Sequence, residues 1–128
     1  METERAEFSI SELAQEFDVT PRAIRFYEDQ GLLAPRRDGQ RRIHTPRDRT
    51  RLELTLRGKR LGLTLAEIRE LIDMYEPGRD DRAQLERFRE VLEAHRKSLA
   101  QQRADIEAQL SEIQTFEKRI QQQLKKRR

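Results

Sequence analysis

Cysteine and tryptophan are both absent from this chain of 128 residues. Without thiols the chain cannot form disulfides, thiolate nucleophiles or cysteine-based zinc and copper sites. Histidine is scarce as well, because His44 and His95 are its two imidazoles. Two histidines far apart in sequence cannot assemble a tight site for a soft transition metal. We therefore expect neither a bound metal nor another cofactor.

Long apolar runs are also missing, since no segment approaches the roughly 20 residues of a membrane-spanning helix. The acidic N-terminus lacks the basic-then-apolar layout of a signal peptide. A cytoplasmic protein with no membrane partner is expected. With 34% hydrophobic and 40% charged residues, the chain is too lean for one compact globule. That composition suits a small domain with an exposed long helix.

Positive charge is concentrated in one part of the chain. Residues 20–62 contain 12 lysines and arginines against 5 aspartates and glutamates, although the net charge of the whole chain is only +3. A local excess of this kind is typical of a surface that binds phosphate groups. The distribution predicts that this segment contacts nucleic acid.

The segment Thr20–Leu33 has the pattern of a reading helix in a helix-turn-helix. Thr20 can cap the helix, Pro21 suits its first position, and Gly31 can end it in a left-handed conformation. A helix before it begins at Phe8-Ser9, where Ser9 and Glu12 form a capping-box pattern. The turn between the two helices is short, which forces a steep packing angle. An ordinary surface helix with solvated arginines would have the same local pattern.

A basic hairpin is predicted after the reading helix. Asp38-Gly39 is a strong signal for a type I′ turn, whose two central residues both need positive φ. Four arginines flank the turn, and such a strand pair has little value as a core. We interpret the hairpin as a contact to the DNA backbone or minor groove. The alternative is a solvated loop that is merely basic. The four residues are Arg36, Arg37, Arg41 and Arg42.

A second helix pair is predicted at Pro46–Leu61 and Leu65–Tyr75, separated by a short turn. Thr45-Pro46 repeats the helix start at Thr20, and Thr64 with Glu67 forms another capping box. Pro77-Gly78 then interrupts the chain. The predicted organisation is a DNA-binding domain at 1–76, a linker at 77–80, a dimerisation helix at 81–124 and a basic tail at 125–128.

The dimerisation helix has a heptad pattern of aliphatic residues. A helix of about 40 residues is about 60 Å long and cannot bury such a stripe on a small domain. The same helix of a second chain is the simplest partner, although heptads alone leave parallel and antiparallel pairing open. His95 falls at a seam position, where a packed polar residue is expected rather than a ligand. The predicted dimerisation residues are Leu85, Phe88, Leu92, Leu99, Ile106, Ile113, Phe116 and Ile120.

This order of parts resembles the MerR family of bacterial transcription regulators. The resemblance rests on Val19-Thr20-Pro21-Arg22-Ala23-Ile24-Arg25-Phe26-Tyr27-Glu28, on Gly31-Leu32-Leu33 with Pro35, and on the arginine hairpin. It implies an all-α fold with a small β-hairpin wing, in which a winged helix-turn-helix domain precedes a long C-terminal coiled-coil helix. One departure is His44, where the family often has tyrosine. Taken together, the predicted DNA-binding residues are Thr20, Arg22, Arg25, Phe26, Tyr27, Arg36, Arg37, Arg41, Arg42, His44 and Lys59.

The resemblance also implies how such a protein acts. Family members are homodimers with an antiparallel coiled coil on double-stranded promoter DNA. They bend and untwist the DNA, and so affect RNA polymerase indirectly through the promoter. The short, cysteine-free coil looks like a branch tied to branched-chain amino-acid and acyl-CoA catabolism. A small organic effector is therefore expected. We expect it in a crevice formed by Leu65, Ile68, Ile72, Tyr75, Phe116, Ile120 and the basic tail.

Two other classes of function compete with this interpretation. An architectural, excisionase-like DNA-binding protein could carry a similar winged helix-turn-helix, but such small proteins usually lack the second helix pair and the long heptad helix. An enzyme would need paired carboxylates, a nucleophile with a base, a phosphate loop or a metal cluster. The sequence contains none of these patterns and therefore has no predicted catalytic residue.

Overall fold

The computed structural model of the chain describes residues 7–76 and 81–127. The predicted linker at 77–80 lies outside this described part, so the domain boundary drawn there stays a prediction. The chain forms two compact units, of which the first ends at Phe88 and the second begins at Arg89. The elements are β1 (Phe8–Ser9), α1 (Ile10–Phe17), α2 (Pro21–Asp29), β2 (Arg36–Asp38), β3 (Arg41–His44), α3 (Pro46–Arg60), α4 (Leu65–Met74) and α5 (Arg82–Lys126).

Side-chain caps begin the short helices where the sequence predicts them. The Ser9 hydroxyl accepts a hydrogen bond from the Glu12 amide at 3.1 Å, and the Glu12 carboxylate accepts one from the Ser9 amide at 2.9 Å. Thr64 and Glu67 make the same reciprocal pair at the start of α4. Each pair satisfies two polar groups that a helix start would otherwise leave unbonded. The starts of α1 and α4 are fixed in this way.

Left-handed residues end the first helices of the chain. Gly31 follows α2 with a φ of 76°, and the Leu32 amide donates to the Tyr27 carbonyl at 3.0 Å. This bond is the signature of a Schellman motif, which needs a residue without steric cost at positive φ. Asp18 takes the left-handed conformation after α1, with a φ of 54°. The turn into α2 is therefore as tight as predicted.

The sheet has three antiparallel strands in the order β1-β3-β2. Phe8 pairs with His44, whereas the sequence analysis started the first helix at Phe8. The predicted type I′ turn is also wrong. Asp38 pairs with Arg41, so Gly39 and Gln40 are the central residues, and only Gly39 of the two has a positive φ. A glycine at the first central position is typical of a type II′ turn.

The core of the first unit is built from the apolar faces of its helices. Every helix from α1 to α4 contributes side chains that are almost completely buried, and the loop after α2 adds another. Because these contacts come from elements far apart in sequence, they fix how the helix-turn-helix and the second helix pair hold together. The main core residues are Leu13, Ile24, Leu32, Leu52, Ile68 and Ile72.

Phe88 corrects the predicted dimer seam. Its side chain is only 4% exposed within a single chain, because the first turns of α5 belong to the first unit. Arg87 beside it pairs with Glu70 of α4 at 2.7 Å. Phe88 is therefore a core residue of the first unit. The predicted seam residues of the second unit, from Leu92 to Ile120, are all exposed in the single chain.

Candidate nucleic-acid interface

Helix α2 has one buried side and one exposed side. Thr20 caps it by accepting a hydrogen bond from the Ala23 amide at 3.0 Å, and Ile24 is completely buried. The exposed side carries Arg22, Arg25 and Phe26. No carboxylate within the described ranges pairs with either arginine. Their guanidinium groups are free to contact phosphates or base edges, as a reading helix requires.

Tyr27 supports this helix from inside the fold. It is one of the predicted DNA-binding residues, yet its side chain is only 5% exposed. Burial raises the pKa of its phenol. The Tyr27 ring packs edge-on against the ring of Phe26, with centroids 5.7 Å apart. Since Phe26 is exposed, this contact orients an aromatic side chain at the outer surface of the reading helix.

The wing formed by β2 and β3 carries three exposed arginines, Arg36, Arg37 and Arg41. Arg36 is bonded to Glu7 at 2.7 Å, and both side chains are well exposed. Arg37 and Arg41 have no carboxylate partner in the described part of the chain. The structure therefore leaves two of the predicted wing cations fully available and one in a weak surface pair.

Arg42 of β3 is bonded to the reading helix α2. Its Nε donates to the Glu28 carboxylate at 2.7 Å, in a contact where Glu28 is 9% exposed. The predicted contact of Arg42 with DNA stays a prediction, but the structure gives this residue a further task. A charge-assisted hydrogen bond of this length connects the wing directly to α2. Sequence analysis did not anticipate a role for Glu28.

His44 does not reach the surface. It was predicted among the DNA-binding residues, yet its side chain is completely buried. Nδ1 lies 3.2 Å from the Asp48 carboxylate and Nε2 lies 3.2 Å from Glu28. The prediction that His44 contacts DNA directly is therefore wrong. The physical reason is its register, because His44 faces inward where β3 pairs with β1 and leads into α3.

Asp48 is the buried carboxylate of this cluster. It accepts hydrogen bonds from the Ala34 amide at 3.1 Å and from His44. Burial alone would raise the pKa of Asp48. The hydrogen bonds from His44 and Ala34, with the positive charges of His44 and Arg51, outweigh burial and hold that pKa below its ordinary value. His44 ends β3 and Asp48 lies in α3, so their spacing of four residues is not a helical pattern and the sequence carried no signal for this pair.

Several arginines of α3 serve the fold. Arg51 donates to the Leu32 carbonyl at 2.6 Å and pairs with Glu76, which Arg47 also contacts at 2.8 Å. The bonds from these two guanidinium groups lower the pKa of the Glu76 carboxyl. Arg49 pairs with Glu16 of α1. Lys59, in the last turn of α3, is exposed and has no carboxylate partner among the described residues, which suits the predicted phosphate contact.

Gly58 allows α3 and α4 to approach closely. A Cβ atom at this position would lie 2.7 Å from Cγ1 of Ile68. Real side chains do not tolerate such a distance, so a neighbouring atom would have to move. Gly58 thus sets the spacing of the second helix pair. Sequence analysis assigned no role to this glycine.

Residues 7–76 and 81–127 contain no group of three potential ligands that could hold a metal ion. Ile68 and Ile72 were predicted to line an effector crevice, but both are buried in the core of the first unit. Tyr75, by contrast, is 62% exposed. None of the helices in the described ranges has the length and apolarity to cross a membrane.

Comparison with known families decides the assignment of this helix-turn-helix. Residues 8–75 match the family described as "MerR HTH family regulatory protein", and residues 49–116 match that described as "MerR, DNA binding". The chain belongs to the MerR family. As a MerR-type transcriptional regulator it binds promoter DNA, and it is not an enzyme.

Individual MerR-family relatives agree with this assignment. The transcriptional regulator ZntR of Escherichia coli is 30% identical over 117 residues, which cover 89% of this chain and 76% of ZntR. A MerR-family regulator from Bacillus cereus has a similar crystal structure, with a TM-score of 0.71, 29% identity and coverage of 90% of this chain and 83% of its own. HiNmlR, a MerR-family regulator bound to promoter DNA, shares the fold at a TM-score of 0.59 and 24% identity over 82% of this chain and 79% of HiNmlR.

Proposed function

We propose that this MerR-type regulator acts as a homodimer and places two reading helices on a near-palindromic promoter. The main support for this proposal is the apolar stripe along the helix of the second unit. Leu99, Ile106 and Ile113 are each more than half exposed in the single chain. A helix that exposes aliphatic side chains in one heptad register is stable in water when a second helix covers them. An antiparallel pairing, as in the family, is the arrangement we propose.

The proposed DNA contacts are made by the exposed cations of the first unit. Arg22 and Arg25 on α2 would read base edges, while Arg37 and Arg41 on the wing and Lys59 on α3 would bind phosphates. The exposure of all five side chains supports their access to DNA. Thr20 and Phe26, exposed on the same helix-turn-helix, would contact the backbone or a base. Arg36 would add a weaker contact, because Glu7 competes for it.

Two alanine variants test these contacts. Arg22→Ala should cost about 1–3 kcal/mol on the operator and relax preference at one base pair per half-site. Lys59→Ala should instead weaken operator and random DNA equally, and reduce the slope of log affinity against log salt by about one unit. Fluorescence anisotropy measures both. Lys118→Ala removes the same charge from the second unit and serves as the control. Equal losses on both DNAs for Arg22→Ala would refute base reading by this residue.

The proposed output is a change in promoter geometry. Bending and untwisting a site of 20–30 base pairs costs of the order of a few kcal/mol, which a dimer that holds both half-sites could supply. Energy transfer between dyes at the two ends of the promoter should report a shorter end-to-end distance on binding. Unchanged transfer with full occupancy, in the presence and absence of the effector, would refute this part of the proposal.

The proposed signal is a small organic molecule of the acyl thioester type. The lack of cysteine supports an organic effector over a soft metal, and a ligand can act only by favouring one dimer geometry over another. Transcription from the promoter in vitro should respond to acyl thioesters and be insensitive to metal salts and chelators. A response to metal salts alone would refute this proposal without affecting the DNA-binding assignment.

A further inference from the structure

Glu28 of α2 holds one edge of an arginine in the wing. Its Oε2 accepts a hydrogen bond from Nε of Arg42 at 2.7 Å. The Glu28 side chain is 9% exposed and that of Arg42 is 22% exposed. Oε1 of Glu28 is enclosed by the protein, next to the buried ring of His44. The carboxylate is therefore fixed in place before any ligand binds.

The bond to Glu28 leaves the outer end of the Arg42 guanidinium free. Neither Nη atom donates to a residue of the described ranges, and neither is among their enclosed nitrogen atoms that lack a partner. Both Nη groups therefore reach solvent. An arginine binds a phosphate best through two parallel N–H groups. The Nη edge of Arg42 can make such a contact while its Nε stays bonded to Glu28.

The other carboxylate bonded to the wing, Glu7, is placed differently. It binds Arg36 at the same distance of 2.7 Å, but the donor is Nη2 and the two side chains are 59% and 61% exposed. Glu7 thus occupies the end of the guanidinium that a phosphate would take, in a pair that solvent weakens. Of the two carboxylates, Glu7 competes with DNA for its arginine, whereas Glu28 leaves the phosphate-binding end open.

Strand register places a second arginine beside Arg42. Arg37 of β2 pairs directly with Arg42 of β3, so the two side chains project from the same face of the sheet. Arg37 is exposed and has no carboxylate partner in the described part of the chain. Like charges directly opposite each other in a sheet are unfavourable. A phosphate bound by both guanidinium groups would offset this repulsion.

We propose that Glu28 is a positioning residue that holds Arg42 beside Arg37, so that both guanidinium groups bind one phosphate of the DNA backbone. This role rests on the proposed DNA binding through α2 and the wing. An arginine that is already held loses less conformational freedom when it binds. Loss of the Glu28 carboxylate should therefore weaken DNA binding. Charge alone predicts the opposite, because a negative charge near a phosphate repels it.

The test compares Glu28→Met with Glu7→Met in the full chain, because each change removes one negative charge and keeps a side chain of similar length. Glu28→Met should weaken binding to operator and random DNA alike by about tenfold, as expected for a lost hydrogen bond to a charged group. The slope of log affinity against log salt should fall by up to about one unit. Glu7→Met should instead bind DNA more tightly, because it frees Arg36. Fluorescence anisotropy measures all of these quantities.

A double-mutant cycle with Arg42→Ala separates positioning from any other effect of Glu28. Arg42→Ala alone should also weaken binding by about tenfold. On that background Glu28→Met should cause no further loss, because the side chain that Glu28 positions is gone. Glu28→Gln keeps one acceptor oxygen and should lose only part of the affinity. Thermal unfolding followed by circular dichroism checks that each variant is folded, and Glu28→Gln takes the place of Glu28→Met in the cycle if the latter is not.

Three results would overturn the proposal. They are native affinity and salt slope for the Glu28 variant, native affinity for Arg42→Ala, and an equal loss from the Glu28 change with and without the Arg42 side chain. Each of these results leaves DNA binding by the chain intact. Failure of the native chain to bind any promoter repeat would instead count against the proposed function.

Discussion

Residues 7–88 and residues 89–127 use their apolar side chains in opposite ways. In the first unit Leu13, Ile24 and Leu52 are completely buried by elements of the same chain. In the second unit Leu99 and Ile106 are 55% exposed, although they are just as apolar. The first unit can reach its stability as a single chain. The stripe of the second unit is exposed in the single chain, so under the proposed dimerisation the stability of this unit should depend on protein concentration.

The polar contacts also differ: ion pairs of the first unit connect distant parts of the chain, whereas an ion pair of the second unit lies within one helix. The first unit contains a buried cluster around His44 and ion pairs that connect α3 to Glu16 of α1 and to Glu76. In the second unit, Lys97 and Glu93 form an exposed ion pair between residues four apart on one helix. Such pairs contribute little in water. Long-range contacts are therefore a property of the first unit, whereas the second unit carries the stripe that we propose for association.

The same leucine-to-alanine change, made once in each unit, tests most sharply whether the two units depend on different contacts. Leu52→Ala should destabilise the first unit by about 2–5 kcal/mol, because a fully buried side chain leaves a cavity. Leu99→Ala should leave the unfolding of the first unit unchanged and weaken dimerisation instead. Urea unfolding at several protein concentrations distinguishes them. Equal loss of stability, independent of concentration, would contradict the division.

A larger side chain at Gly58 should cause the next largest loss of stability. Gly58→Val inserts atoms where even a Cβ would lie 2.7 Å from Ile68. Overpacking of this kind typically costs about 1–3 kcal/mol. Glycine is a poorer helix former than valine, so helix propensity alone would make Gly58→Val slightly stabilising and any loss of stability comes from the crowding. A Gly58→Val protein as stable as the native chain in thermal unfolding would show that α3 and α4 can separate without cost.

The smallest effect concerns ion pairs. Glu76→Gln should cost about 1 kcal/mol at neutral pH, because Glu76 and Arg51 are largely shielded from solvent. The pKa of Glu76 is lowered in the folded chain. Its contribution is therefore present above the pKa of the unfolded chain and is lost as the pH falls through the lowered value. The difference between native and variant in urea unfolding should vanish on acidification.

A matched change in the second unit completes this comparison. Glu93→Gln removes the exposed pair with Lys97 and should leave stability unchanged within error. If Glu93→Gln destabilises the chain as much as Glu76→Gln does, the distinction between shielded and exposed pairs is wrong.

Local features of the first unit could be predicted from sequence because they depend on neighbouring residues. The capping boxes at Ser9 and Thr64 and the left-handed Gly31 are as expected. Pairing of Phe8 with His44 could not be predicted, because it joins residues at opposite ends of the helix-turn-helix and wing. The predicted turn type was wrong for a related reason, because the register of β2 and β3 makes Gly39 and Gln40 the central residues of the turn.

The candidate site divides in the same way. Exposure of Arg22, Arg25 and Phe26 follows from helical spacing around the buried Ile24. Burial of His44 does not follow from any local pattern, because it depends on Glu28, which the chain brings close only when the wing folds onto α2. Phe88 likewise satisfied the heptad spacing and yet packs in the first unit, where tertiary contacts outweigh periodicity.

Sedimentation of one seam variant tests most directly whether the exposed stripe is a dimer interface. Ile106→Glu would place an unpaired carboxylate in that interface, at a cost of several kcal/mol per dimer. Ala104→Glu adds the same charge to the same helix outside the seam. We predict a monomer for Ile106→Glu at micromolar concentration, with operator affinity lost, and a dimer with native affinity for Ala104→Glu. An Ile106→Glu protein that remains dimeric at that concentration would contradict the account.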